Sequence, residues 1–390
     1  MKLASALSTL PELQPSLAEA CASARQALGE SPVDVALVFV SSTHLGEALD
    51  RLPGIVRELT GARHLLGCTA EGIIGGGREV EREPAVSVLL CHMPGVEIHP
   101  FTVHQKDLET IEEAEDLISR LGVGSMEDPT LLLLGDPYSI DVMRIISGCN
   151  EALPGCPIIG GMASGGMGPD QQRIFFQDET LHEGAAGLSL SGDLRVDTIV
   201  SQGCRPVGTH KVITRVKDNV IFEIGGKPAA DVLSQTLAEL ADEERDRAKN
   251  GLHVGRVIRE EQTSFGRGDF LIRNLMGIDP DSGAIAVGDH FHPGQTIQFH
   301  IRDAEAARED LELLLGAYKE GERKPSAGGL LFSCNGRGER LFGVKDHDSG
   351  VIRDVVGEVP IAGFFCAGEI GPIGGRNFLH GFTNSIAFFS

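Results

Sequence analysis

The sequence is poor in aromatic residues and in basic residues. It has no tryptophan and only two tyrosines, and its 34 Lys and Arg residues are outnumbered by 56 Asp and Glu residues, which gives a net charge of −22. A strongly acidic surface repels phosphate backbones and anionic lipid, and few rings are available to stack on bases. The composition therefore argues against nucleic-acid and membrane partners.

Close cysteine pairs and long apolar runs are also missing. None of the eight cysteines forms a C-x-x-C pair, so neither a zinc ribbon nor a redox dithiol is indicated. No apolar run approaches the ~20 residues that a membrane helix needs, and polar residues interrupt the first segment too soon for a signal peptide. We expect a cytoplasmic protein with free thiols.

The most informative feature that is present is a glycine motif of the form G-x4-G-x2-G, which occurs three times. The copies run from Gly67 to Gly75, from Gly160 to Gly168 and from Gly363 to Gly371, and each follows an apolar pair. A buried apolar strand, a loop and a helical segment precede each copy. This order predicts duplicated β-α-β-β-β units whose equivalent loops surround a shared centre.

The fold class that follows is α/β, with layered mixed sheets and covering helices, built from such units in two associated halves. One helix is expected from His44 to Thr60, with a break or kink at Pro53. The gap between the second and third motif copies is about twice the first gap. A degenerate fourth unit in that gap is an alternative, although its glycine pattern is absent.

Several runs of the sequence resemble FIST-domain proteins. They are Leu330–Gly338, Gly363–Pro372, His380–Asn384 and the first glycine motif. The resemblance implies a FIST N-terminal domain over residues 1–202 and a FIST C-terminal domain over residues 203–390. It also implies an intracellular signal-transduction module that binds small ligands such as amino acids. No kinase, cyclase or F-box segment is visible, so we expect a stand-alone form whose output partner is a separate signalling protein.

The best candidate ligand site is the loop from Cys334 to Gly338, because ligands in α/β layers bind beyond the carboxyl ends of strands. Arg337 offers a fork of donors for a carboxylate, Asn335 can donate and accept, and Gly336 allows close approach. Glu369, in the third motif, could receive a ligand ammonium group. If this reading holds, Arg337→Ala should weaken ligand binding and leave the fold intact. The alternative is a tight turn whose arginine pairs with a structural acid.

Two further acids are candidate ligand-binding residues. Glu71 stands where the other motif copies have Ser164 and Ala367, which is compatible with one copy retaining a function or with surface drift. Asp136 follows the first strand of the second unit and can face the same cleft.

Other chemistries are weaker alternatives. Cys334 and Cys366 lie near strand ends, but a cysteine nucleophile needs a neighbouring base, for which His347 and His380 are available in the sequence. The pair His290 and His292 could chelate a metal, yet no third ligand follows at a telling distance. Some members of the resembled family are similar to haem-binding gas sensors, so haem is a further alternative.

The predicted function is therefore a sensory protein that recognises an amino acid or a similar small polar metabolite. We expect no enzymatic activity, no metal and no cofactor. The alternatives are a protein-interaction module, a haem-based gas sensor and an enzyme that uses a cysteine.

Overall fold

The chain forms two compact units in the computed structural model, which describes residues 1–44, 46–111, 114–262, 264–266, 268–321 and 324–390. The first unit comprises Met1–Val200 together with Glu312–Ser390, and the second comprises Ser201–Leu311. The predicted family halves, 1–202 and 203–390, divide the chain in another way, because the last 79 residues lie with the first 200.

The elements up to residue 201 combine strands with covering helices. The strands are β1 (Lys2–Ser8), β2 (Val35–Ser41), β3 (His64–Ala70), β4 (Gly72–Gly75), β5 (Arg78–Glu81), β6 (Val86–His92), β7 (Val96–Val103), β8 (Thr130–Gly135), β9 (Ile158–Met162), β10 (Ile174–Phe176), β11 (Glu179–Leu181), β12 (Ala185–Gly192) and β13 (Val196–Ser201). The helices are α1 (Leu13–Leu28), α2 (Leu52–Thr60), α3 (Gln105–Thr110), α4 (Ala114–Leu121) and α5 (Val142–Ala152).

The remaining elements complete both units. The strands are β14 (Cys204–Lys217), β15 (Val220–Ile224), β16 (Lys227–Pro228), β17 (Leu252–Val257), β18 (Phe270–Asp279), β19 (Ala284–Val287), β20 (Thr296–Arg302), β21 (Gly328–Cys334), β22 (Ile361–Cys366), β23 (Glu369–Ile373), β24 (Arg376–His380) and β25 (Asn384–Phe389). The helices are α6 (Ala229–Ala238), α7 (Asp242–Gly251), α8 (Ala304–Glu320), α9 (Glu339–Phe342) and α10 (His347–Val356).

The first unit contains three six-stranded sheets that share one strand order. The orders are β1-β6-β2-β3-β10-β11, β7-β12-β8-β9-β23-β24 and β13-β25-β21-β22-β4-β5. In each sheet the two central strands, β2 with β3, β8 with β9 or β21 with β22, are parallel. The hairpin that begins within or just after each glycine motif pairs at the edge of a sheet other than that of the strand before it. The α/β fold class predicted from the sequence is confirmed.

The three sheets of the first unit share a central core. In β2 the alternate residues Val35, Leu37 and Phe39 enter this core together with side chains of the other two sheets. The intervening residues Ala36, Val38 and Val40 face a separate cluster under α1 and α2. Both faces of the strand are thus covered, which explains why its sequence is a continuous apolar run.

The first glycine of each motif permits close contact between the parallel strands. A Cβ added at Gly67 would lie 1.9 Å from the carbonyl oxygen of Val38. The corresponding distances are 1.9 Å from Gly160 to Leu133 and 1.8 Å from Gly363 to Leu331. Since no side chain fits at such distances, the motif has an architectural role at these three positions.

The second unit is an antiparallel structure rather than a fourth copy of the repeat. Its strands follow the order β14-β20-β17-β18-β19-β15-β16, and a further pairing of β14 with β15 closes the ring. The pairings described within this unit are antiparallel, so the parallel β-α-β pair of the other units has no counterpart here. The fourth-unit alternative is therefore wrong.

Three local features differ from the sequence predictions. The expected helix 44–60 consists of the 3-10 turns Ser42–His44 and Glu47–Arg51 followed by α2, with Leu45 outside the described residues. Pro53 lies in the first turn of α2, where its missing N–H has no intrahelical partner to lose, and so it begins the helix rather than breaking it. Strand β1 and helix α1 were not predicted, and neither were the short hairpins after the motifs.

Candidate functional site

The predicted loop lies at the carboxyl ends of two parallel strands. Cys334 ends β21 in register with Cys366, which ends β22. The Asn335 N–H donates to the Cys366 carbonyl at 3.0 Å, and the Arg337 N–H donates to the Cys334 carbonyl at 2.8 Å. These bonds hold the loop in a tight turn against both strands.

Arg337 is fully buried and is held by an acid of α10. Its Nε and Nη2 donate to Asp348 Oδ2 and Oδ1, both at 2.9 Å, and Asp348 is also fully buried. Burial alone would raise the pKa of Asp348, but the guanidinium and a hydrogen bond from His347 hold that pKa well below its usual range. The fork predicted for a ligand carboxylate is thus occupied within the protein, as in the tight-turn alternative.

Glu79 reaches the same region from the hairpin formed by β4 and β5. The Ser349 N–H donates to Glu79 Oε1 at 2.6 Å. Burial, followed by the charge of Asp348, raises the pKa of Glu79 to about 8. This carboxyl group is consequently protonated at neutral pH.

Glu369 is the second buried carboxyl group of the region. Its Oε2 accepts hydrogen bonds from the N–H and the hydroxyl of Thr383 at 3.1 and 2.7 Å. Burial nevertheless raises the pKa of Glu369 to about 8. At neutral pH it is uncharged, so it would have to lose its proton before pairing with a ligand ammonium group. We call Glu79, Arg337, His347, Asp348 and Glu369 the polar network.

Two buried polar atoms at the loop lack a hydrogen-bond partner. Asn335 Oδ1 and Arg337 Nη1 are shielded from solvent and have none among the described residues. Buried donors and acceptors are almost always paired, so each such atom calls for an explanation. Cys334, Asn335 and Gly336 are only half-buried, so this part of the loop is accessible from outside.

The three glycine motifs meet at Ser164. Its hydroxyl donates to the Phe365 carbonyl at 2.5 Å and accepts the Glu71 N–H at 2.9 Å. The second motif thereby bridges the first and the third. Glu71 is half-buried, and its backbone rather than its carboxylate makes this bond.

Asp136 organises its own loop. Its Oδ2 accepts the Ser139 hydroxyl at 2.5 Å, its Oδ1 accepts the Tyr138 N–H at 3.3 Å, and its N–H donates to the Gly184 carbonyl. It is buried, and within the described ranges no hydrogen bond or ion pair joins it to the polar network. The structure therefore brings Cys334, Asn335, Gly336, Arg337 and Glu369 together and places Asp136 apart from them.

The structure gives little support to a cysteine nucleophile or to a metal site. Burial raises the pKa of Cys366 well above its usual value, the opposite of what a thiolate nucleophile requires. His290 and His292 are exposed on either side of the buried Phe291. Across the part of the chain that is described, no three His, Cys, Asp or Glu side chains are grouped to hold a metal ion. No helix there has the length and apolar character needed to cross a membrane.

Comparison with protein families gives a match along most of the chain. Residues 34–227 match the FIST N domain and residues 229–372 match the FIST C domain. The chain belongs to the FIST family. FIST domains are sensory domains of signal transduction. The boundary between the two matched domains lies in the second compact unit, where the first match ends within the short strand β16 and the second begins with α6.

Relatives of this FIST protein occur in mycobacteria. An uncharacterized protein of Mycobacterium tuberculosis H37Rv, Rv0628c, is 41% identical over 389 residues, covering 100% of both chains. The uncharacterized protein Mb0898c of Mycobacterium bovis is 38% identical over 393 residues, covering 100% of this chain and 99% of its own. An F-box/LRR-repeat protein of Arabidopsis thaliana is 36% identical over 92 residues, 23% of this chain and 17% of its own.

Similarity to solved structures is low. A cyanuric acid hydrolase from A. caulinodans aligns over 100% of this chain and 98% of its own, with 11% identity and a TM-score of 0.38. Values this low carry no conclusion about activity.

Sequence reasoning missed the partners of the predicted arginine. Asp348 is one of 56 acidic residues, and Glu79 lies in a short strand far away in the chain. No spacing rule links either residue to Arg337. Thr383 and Asn384 did appear in the run that resembles the family, and both lie beside carboxylates of the polar network.

Proposed function

We propose that this FIST protein is a sensor that recognises a small polar metabolite, with an amino acid as the expected class, at the loop from Cys334 to Arg337. The observation that carries the proposal is the pair of unpartnered buried atoms, Asn335 Oδ1 and Arg337 Nη1. A ligand that supplied one donor and one acceptor would satisfy both, which is energetically worthwhile because orphaned buried polar groups are costly.

The groups of the site can pair with both ends of a zwitterion once Glu369 has lost its proton. Arg337 Nη1 would donate to one carboxylate oxygen of the ligand, and Glu369 would receive the ammonium group after losing its proton. Since the pKa of Glu369 is raised to about 8, affinity for an ammonium group should increase as the pH rises towards that value. This pH dependence of the affinity distinguishes an amino acid from a carboxylic acid that has no amino group.

The polar network offers a path for the signal. Arg337 is bound to Asp348 in the first turn of α10, so a ligand that moves Arg337 also moves the start of that helix. A separate signalling protein would then read the position of α10. The proposal thus links one loop to one helix through a single ion pair.

The test is a thermal-shift screen and calorimetry with free amino acids, the corresponding acids without the amino group, and haem. A ligand that binds only the native state raises the melting temperature. We expect an amino acid to do so, and Asn335→Ala to abolish the shift while the ligand-free melting temperature stays the same. Asn274→Ala, an exposed asparagine of β18, is the matched control.

Three outcomes would speak against the proposal. If no amino acid shifts the melting temperature, the ligand class is wrong. If binding survives Asn335→Ala, the loop is not the site. If the deaminated acids bind as well as the amino acids at pH 8, Glu369 does not receive an ammonium group.

A further inference from the structure

A cleft of about 450 Å³ is lined in part by residues of α10. Its walls come from segments far apart in the chain: β1, the end of α1, the turn between β4 and β5, α10, and the loop from Gly357 to Ile361. All of these segments belong to the first compact unit. The volume falls within the range of about 300–1,000 Å³ that is usual for small-molecule sites. We call it the α10 cleft.

Much of the lining of the α10 cleft is apolar. Leu3 of β1, Ile352 of α10 and Ile361 at the start of β22 form this part of the wall. Such a surface gains free energy by covering a hydrocarbon chain or ring, because apolar area is removed from water. A fully polar ligand would leave this wall without a partner.

The polar groups of the lining point to an anion. Ser349 and Arg353, four residues apart on α10, both line the cleft, and residues at this spacing lie on one face of a helix. Arg353 is 47% exposed, and its ion pair is with the adjacent Asp354 at 3.8 Å, too long for a firm bond. A hydroxyl donor and an exposed guanidinium on one face can bind a single carboxylate.

We infer that the α10 cleft binds a small carboxylic acid with an apolar body. The carboxylate lies between Ser349 and Arg353, and the apolar body lies against Leu3, Ile352 and Ile361. Glu358 also lines the cleft, from the exposed loop after α10, and its negative charge weakens the binding of any anion. This site is separate from the loop at Cys334, and the inference does not depend on the proposed function.

A ligand bound in the α10 cleft would change the surroundings of the polar network. The N–H of Ser349 donates to Glu79, and Asp348, which precedes Ser349, binds Arg337. One turn of α10 thus contains both a residue that lines the cleft and a residue of the buried ion pair. A ligand that shifts this turn changes the surroundings of both buried carboxyl groups.

The experiment is calorimetric titration of the full chain with hexanoate and benzoate, alongside hexanol and hexylamine as neutral and cationic probes. We expect the two carboxylates to bind and the other two probes not to bind. Arg353→Ala should weaken carboxylate binding by about tenfold or more, the effect of losing one charge-assisted hydrogen bond. Glu358→Gln should strengthen it. Ala27→Phe, at an exposed helix position on the cleft, should block it without unfolding the protein.

The controls separate the two sites. Arg376→Ala, an exposed arginine outside the cleft, should leave hexanoate binding unchanged, and so should Asn335→Ala. Absence of carboxylate binding, or preferential binding of hexylamine, would overturn the inference. Carboxylate binding that is lost in Asn335→Ala but kept in Arg353→Ala would assign the ligand to the loop and would also overturn it. Failure of the amino-acid screen would leave it standing.

Discussion

Arg337 and Asp348 form a fully buried ion pair through two parallel hydrogen bonds of 2.9 Å. The pair joins the loop after β21 to the first turn of α10. Its two bonds use the Nε and Nη2 donors of the guanidinium group. Arg337 is therefore a structural residue first, and any ligand at the loop meets only its Nη1.

Removing the arginine should destabilise the protein. Arg337→Ala leaves the Asp348 carboxylate buried without its partner, which costs about 3–5 kcal/mol. Urea denaturation should show this loss of unfolding free energy, whereas the exposed Arg376→Ala should change it by less than about 0.5 kcal/mol. If Arg337→Ala were as stable as the unchanged protein, the sequence-based expectation that the fold tolerates its loss would be right.

The buried carboxyl groups should make stability fall as the pH rises. Glu79 and Glu369 keep their protons in the folded chain up to about pH 8, whereas the unfolded chain loses them near pH 4.5. Between those values the folded state binds more protons, so its stability decreases with pH across that window. Glu369→Gln, which imitates the protonated form, should flatten the slope measured by denaturation from pH 5 to 8.5. An unchanged slope in this variant, or a flattened one in the exposed Glu358→Gln, would contradict the assignment.

The first glycine of the third motif should tolerate no side chain. In Gly363→Ala the new Cβ would be 1.8 Å from the Leu331 carbonyl oxygen unless the parallel strands separated. We expect a loss of about 3 kcal/mol or more, or failure to fold. Gly54→Ala is the matched control, because a Cβ there meets nothing within 4 Å, and it should be neutral or slightly stabilising. Equal melting temperatures for the two variants would refute the packing role.

The thiols should differ in reactivity. Cys204 and Cys334 are half-buried and the other six cysteines are buried. Iodoacetamide added to the native protein should therefore modify these two, and Cys366 should react only after unfolding, because both access and thiolate formation are hindered there. Peptide mass spectrometry reads out the sites. Rapid native labelling of Cys366 would show that its strand end opens.

The sequence predicts what depends on local pattern. The apolar runs of β2, β8 and β21 and the glycine-bearing strands after them mark the parallel pairs, because their two-sided burial appears as a run of consecutive apolar residues. Predicting these features requires no knowledge of which distant segments pair.

The unpredicted features depend on long-range partners. Strand β4 pairs with β22, almost 300 residues away, and its four residues, two of them glycines, give no sign of that partner. The choice of Asp348 for Arg337 likewise rests on the position of α10, which the loop sequence does not encode. Strand β1 has a short, mixed pattern and acquires its role only from pairing with β6.

Each sheet of the first unit is linked to the next by a strand that the chain contributes to it, and this link is missing at one place. Strands β7 and β13 each continue from one sheet into the next, and β1 fills the corresponding place beside β6, where a continuation of β25 would lie. Leu3 and Phe389 line one small cavity, so the two chain ends are neighbours. A short linker between the termini would supply the missing link and allow a circular permutant whose chain begins at another loop. By contrast, removing one of the three β-α-β-β-β units would leave at least one of the other two sheets without strands that the removed unit contributes.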